Sequence, residues 1–322
     1  MKVLLLLALA GAAAVSSVSD PVEQFGPVLA QTRAFAADQG DRIWPGYGQV
    51  PFGFLLLEAD REVLLCQPNR VEGFDSAGAE PATGCARFTR ARTGLPSSLL
   101  AAMPIFGPPS TIVMGTPGST GRSTGAWLRT ILHEHFHQFQ DAQPRMFERT
   151  DALGLSGSDR TGMWMLNYPF PYADVGTGRA YGAASQALAE AIDARGNPRF
   201  ASAFDAYLAA RSAFQSQVSE NEWRYIEFEL WKEGVARWTE ITLGRLHPNP
   251  SVREAADDLA RQTGEQLRSP DLARQGREFV YPYGAGEAML LEACHPEWRQ
   301  DYFSNLAMGP LLTSARHACR AS

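Results

Sequence analysis

Two histidines four residues apart with a glutamate beside the first, His133, Glu134 and His137 in the run HEHFH, are the residues of this chain best placed to do chemistry. Residues four apart share one face of a helix, so both imidazoles reach a single divalent ion. Glu134, one step round the helix, is then set to take a proton from water at that ion, which is the arrangement of metal-assisted hydrolysis. Five-residue patterns also arise by accident, so the segments around the motif have to position it.

They do so in two places. The loop composition of TPGSTGRSTG (116–125), followed by apolar periodicity and then Pro144, predicts a helix from about Ser123 or Thr124 to Asp141. Around it, Trp127, Leu128, Ile131, Leu132, Phe136 and Phe139 gather into a core face, His133 and His137 share another side, and His135 falls among the apolar residues as a core histidine. Two imidazoles are too few, because catalytic zinc sites use three protein ligands and leave one position open. Downstream, NEWRYIEFELWKEGVARWTEITLG (221–244) reads as a largely buried helix with Glu229, Glu233 and Glu240 in one stripe, small Ala236 between them, and Trp231 and Trp238 opposite. Buried carboxylates require a partner such as a metal or a histidine. Glu190, in the predicted helix 184–195, is a competing source of the third ligand.

The remaining elements predict an α+β fold. GFLLLEA, EVLLCQ, ARFTRAR and STIVMGT, between residues 50 and 116, read as short strands separated by turn residues. Residues 142–182, rich in Gly, Pro and aromatics, read as a long irregular excursion whose Trp164, Tyr168, Phe170 and Tyr172 pack the loop itself. Further helices are expected at 199–217, 220–244, 251–267 and 284–294. The organisation is a signal peptide over residues 1–19, a sheet-rich part over 20–145 ending in the motif helix, and a helical part over 146–322 supplying the third ligand.

MKVLLLLALAGAAAVSS has the charged, apolar and small-residue sections of a secretory leader, which implies a secreted or periplasmic protein with no membrane span in the mature chain. Four cysteines in an exported chain predict two disulfides, and the pairings Cys66 with Cys85 and Cys294 with Cys319 close the shortest loops. A net charge of −6 with no basic stripe excludes a nucleic-acid partner.

The H-E-x-x-H helix followed by a later helix bearing E-G-x-A resembles the gluzincin, or peptidase-MA-like, zinc metallopeptidases, over roughly residues 105–245. The resemblance implies a zincin-like fold, one Zn2+ per chain held by His133, His137 and Glu233, and Glu134 as general base. It implies a peptide or protein substrate, with STIVMGT as the edge strand that pairs with it. Gly234 and Ala236 become the small positions that let the metal helices approach. Glu229 is a further competitor for the third ligand, and Glu229 or Glu240 could accept a ring N–H from a ligand histidine. In FVYPYGAGEAMLLE, Tyr283 is chosen over Tyr281 as the donor to a developing oxyanion. The 96 positions between His137 and Glu233 exceed the thermolysin-like spacing, so an insertion must be accommodated. A metal-binding scaffold without catalysis is the alternative reading.

Overall fold

The computed structural model describes residues 21–321, so the expected leader lies outside the described residues. A helix, Pro21–Ile43, leads into a six-stranded mixed sheet: β1 (Phe54–Leu57), β2 (Arg61–Leu65), β3 (Asp75–Ala79), β4 (Ala86–Ala91), β5 (Leu100–Met103) and β6 (Thr111–Gly115). The order across the sheet is β3-β4-β2-β1-β6-β5, with β1 antiparallel to β2 and parallel to β6, Phe54 lying opposite Ile112. The chain is otherwise mostly helical, and the fold class is α+β as expected.

β1 and β6 are buried along their whole length, which is why they read as continuous apolar runs. One sheet face, with Phe54, Leu56, Val63, Leu65, Ile112 and Met114, packs against Trp127, Leu128 and Ile131 of the motif helix. The opposite face, with Leu55, Leu57, Leu64 and Val113, is covered by loop residues including Phe74, Leu95 and Phe106. The STIVMGT strand is not the sheet edge: β6 lies between β1 and β5, and Leu100–Met103 takes the edge instead. Two strands lay beyond the apolar pattern, because β3 is exposed throughout and β5 is only half-buried.

The motif helix spans Thr124–Asp141 and is sandwiched, with Trp127, Leu128 and Ile131 on the sheet and Leu132, Phe136 and Phe139 in the helical core. The helical part comprises Val175–Asp193, Phe200–Gln215, Glu220–Glu229, Val235–Leu246, Pro250–Arg268, Val280–Cys294 and Gly309–Ala321, with shorter turns between. Both expected disulfides are present, Cys66–Cys85 beside the sheet and Cys294–Cys319 between the last two long helices. Among the described residues, no helix is long and apolar enough to cross a membrane.

Candidate metal centre

Ser123 starts the motif helix by accepting the N–H of Ala126 on its side chain at 3.2 Å, satisfying one of the free donors of the first turn. Gln138 fixes the helix to the sheet, donating to the carbonyls of Gly53 (3.0 Å) and Ser110 (2.7 Å). Its amide oxygen then faces Nδ1 of His135 at 2.8 Å. His135 is therefore a core residue, wedged between Tyr47 and Phe52, and burial lowers its pKa to about 4.

His133 and His137 point the other way. Their Nε2 atoms lie 3.1 Å apart, and Oε2 of Glu233 lies 3.4 Å from the first and 3.1 Å from the second. All three residues are buried, and together they form the group of the described residues able to hold a metal ion. Bonds of about 2.0–2.2 Å from nitrogen or oxygen to a tetrahedral zinc set ligand atoms about 3.3–3.6 Å apart. The observed spacing fits within a few tenths of an ångström, and two imidazoles with one carboxylate suit a transition ion better than calcium or magnesium.

The outer hydrogen bonds settle which ring nitrogens face inward. Tyr302 donates its hydroxyl to the carbonyl of Trp231 (2.6 Å) and so accepts from Nε2 of Gln140 (2.7 Å), which also reaches the Lys232 carbonyl (3.1 Å). The Gln140 oxygen is left for Nδ1 of His137, at 2.7 Å, so that nitrogen carries the proton and Nε2 offers its lone pair to the centre. For His133 the same part is played by Glu240, whose Oε2 accepts from Nδ1 at 3.2 Å. Glu240 itself faces Arg129 (3.2 Å) and Arg237 (3.5 Å). Burial would raise the Glu240 pKa, but Arg129 and His133 outweigh it and hold it down at about 2. Burial likewise disfavours a charged His133, yet its hydrogen bonds to Glu233 and Glu240 prevail and raise its pKa to about 9. A proton and a metal ion compete for this place, so metal uptake releases protons.

Glu233 comes from an irregular stretch. Between helices Glu220–Glu229 and Val235–Leu246 the chain makes a wide π-helical turn, Leu230–Gly234, of the kind that recurs at functional sites. Arg277 donates from Nη2 to Oε1 of Glu233 at 3.0 Å, leaving Oε2 for the histidines. Burial works against ionisation of Glu233, but His137, His133 and Arg277 together hold it well below the usual carboxylate range. Glu134 is buried beside the two histidines, and burial raises its pKa against their opposing pull.

Several sequence expectations land elsewhere. Tyr283 is packed among Tyr181, Tyr207 and Phe214 in the helical core, away from the ligands. Tyr281 stands at the centre instead, its ring 5.9 Å from that of His133 and its hydroxyl 3.1 Å from Arg277. Two residues on a helix diverge by about 200°, so only one of the pair could face the site. Glu190 is exposed and outside the ligand group. Glu229 is a partner of Arg277 rather than a ligand, and burial pushes its pKa up to about 8. Gly234 faces the Val280–Cys294 helix, not the motif helix. Sequence reasoning missed Arg277 and Gln140; the one available signal for Arg277 was the need of three buried glutamates for a cation.

The chain matches no protein-family model, no curated protein and no solved structure.

Proposed function

We propose that this protein is an exported zinc-dependent hydrolase that cleaves peptide bonds, with Glu134 as its general base. The observation that carries the reading is the convergence of His133 Nε2, His137 Nε2 and Glu233 Oε2, with Glu134 on the helix that carries the two histidines. When bound, zinc lowers the pKa of water and polarises a carbonyl. Glu134, its basicity raised by burial, removes the proton from the attacking water and returns it to the leaving amine. Tyr281, whose hydroxyl accepts from Arg277, keeps its own proton free for an oxygen developing negative charge. The half-buried edge strand β5 packs near the motif helix and offers an unpaired side to an extended substrate. Two disulfides fit the oxidising compartment that an exported enzyme occupies.

The test is elemental analysis of the mature protein together with a Glu134→Gln variant assayed on a peptide library. One zinc per chain, cleavage by the parent, and zinc without cleavage in the variant support the reading. Undiminished turnover in Glu134→Gln overturns the mechanism. Zinc without cleavage by the parent makes the protein a metal-binding scaffold, and no zinc after refolding with added metal removes the enzymatic reading altogether.

A further inference from the structure

Arg277 ties the ligand Glu233 to three groups that are not ligands. Its Nη2 reaches Oε1 of Glu233 (3.0 Å) and Oε2 of Glu229 (2.5 Å), Nη1 reaches the Tyr281 hydroxyl (3.1 Å), and Nε reaches the backbone carbonyl of Met165 (3.1 Å). The guanidinium side chain is 11% exposed and lies over the Tyr281 ring at 5.7 Å. Its donors form a rigid planar fork, so the positions of these partners are set together.

The first consequence concerns Glu233. A carboxylate with both oxygens free can bind a metal through both, which fills the position needed by water. With Oε1 engaged by Arg277, Glu233 offers Oε2 alone, so the three residues would supply three donor atoms to an ion and leave room for water beside it.

The second concerns the aromatic excursion. Met165 belongs to the short helical turn Trp164–Asn167, and its carbonyl also accepts from the Tyr225 hydroxyl at 2.9 Å. That turn is seated by Trp164 stacked on Phe228 and Tyr168 stacked on Tyr225. It is closed from behind by Asp159, which accepts from the N–H groups of Thr161 (2.7 Å) and Trp164 (2.5 Å). The carbonyl reaches Arg277 only while the excursion is packed down.

We infer that Arg277 is a positioning residue that makes Glu233 a one-oxygen ligand and couples the geometry of the metal centre to the seating of the 159–168 segment. The inference rests on the metal-site reading above and goes beyond it, because it assigns the long insertion a part in shaping the centre.

The test uses Co(II) as the probe in the full mature chain, with visible absorption reporting coordination number and competition with a chelator reporting affinity. The parent is expected to show the strong absorption of four-coordinate Co(II). Arg277→Gln is expected to show a weaker band of higher coordination and an affinity lower by roughly 10- to 100-fold. Arg277→Lys, which unlike Gln retains a positively charged donor for Glu233, is expected to recover much of the band. Asp159→Ala, remote from the ligands, is expected to weaken the band in the same direction and to a smaller extent.

A parent-like band in a folded Arg277→Gln overturns the positioning role. A parent-like band in Asp159→Ala overturns the coupling to the excursion. Where circular dichroism shows Arg277→Gln unfolded, Asp159→Ala decides, and a parent-like band with parent affinity in that variant overturns the inference. A parent that binds no Co(II) fails differently, because it refutes the metal site itself.

Discussion

Gly234 and Gly284 meet so closely that a Cβ built on Gly234 would lie 2.4 Å from the Cα of Gly284. Here the π-helical turn that carries Glu233 rests against the helix that begins next to Arg277 and carries Tyr281. The neighbour on both sides is backbone, which cannot swing aside as a side chain can. Gly234→Ala should therefore destabilise the protein by about 1–3 kcal/mol, the usual range for overpacking, and shift Glu233 as well. Denaturant unfolding with a parallel metal titration checks this; parent stability with parent affinity would show that the contact has slack.

Gln140 holds the His137 ring in one tautomer, and its orientation is fixed in turn by Tyr302 and the Lys232 carbonyl. Gln140→Leu keeps the volume of the site but frees Nδ1 of His137. A loss of roughly 10- to 100-fold in metal affinity is expected from removing such an outer partner. Chelator competition on the folded variant measures it, and unchanged affinity would mean that packing alone orients the ring.

The two tyrosines give opposite expectations. Tyr281→Phe should lower kcat by about 10²- to 10³-fold with KM little changed, as for loss of one oxyanion donor, while metal stays bound. Tyr283→Phe, in the core among Tyr181 and Tyr207, should keep the parent's turnover. Steady-state kinetics on both variants separates them, and the reverse ranking would sink the assignment.

His135 gives a pH dependence of stability. Its pKa falls from 6.5 to about 4 on burial, so between these values the unfolded chain binds a proton that the folded chain does not. Stability consequently rises with pH through that window, and acidification from pH 7 to 4 removes about 3 kcal/mol through this residue. Unfolding curves at a series of pH values, recorded with and without His135→Asn in metal-free protein, isolate the contribution. A slope unchanged by the substitution would place the loss elsewhere.

What could be read from the chain was local. The Ser123 cap, the four-residue histidine spacing and the apolar runs of β1, β2 and β6 are each set by residues within a turn or a strand of one another. The Pro21–Ile43 helix was not legible, since Gly26, Pro27 and Gly40 interrupt it and its place comes from packing on the motif helix. Gln140 sits three positions from His137, but what turns its oxygen toward that ring lies 92 and 162 positions away, and Arg277 meets Glu233 across 44 positions, which no spacing rule reaches. The choice between Tyr281 and Tyr283 turned on the rotation of one helix about its axis. That rotation follows from the Gly234–Gly284 contact and from the burial of Tyr283.

The wide turn at Leu230–Gly234 also governs what kinds of change this molecule can absorb. It holds one more residue than a regular helical turn would, so the segments on either side are out of step by about 100°. The earlier segment directs Glu227 to Arg211 and the N–H groups of Met308 and Gly309, while the later one directs Glu240 to His133. Shortening the turn by a single residue would heal the helix and bring the two halves into register, so that one of these carboxylates would face the wrong way. Substitution at the buried Leu230, or at Lys232 with its ion pair to Asp141, alters packing or pairing in one place; deletion there alters the phase of everything that follows. The length of this helix is thus a stricter requirement than most of its letters.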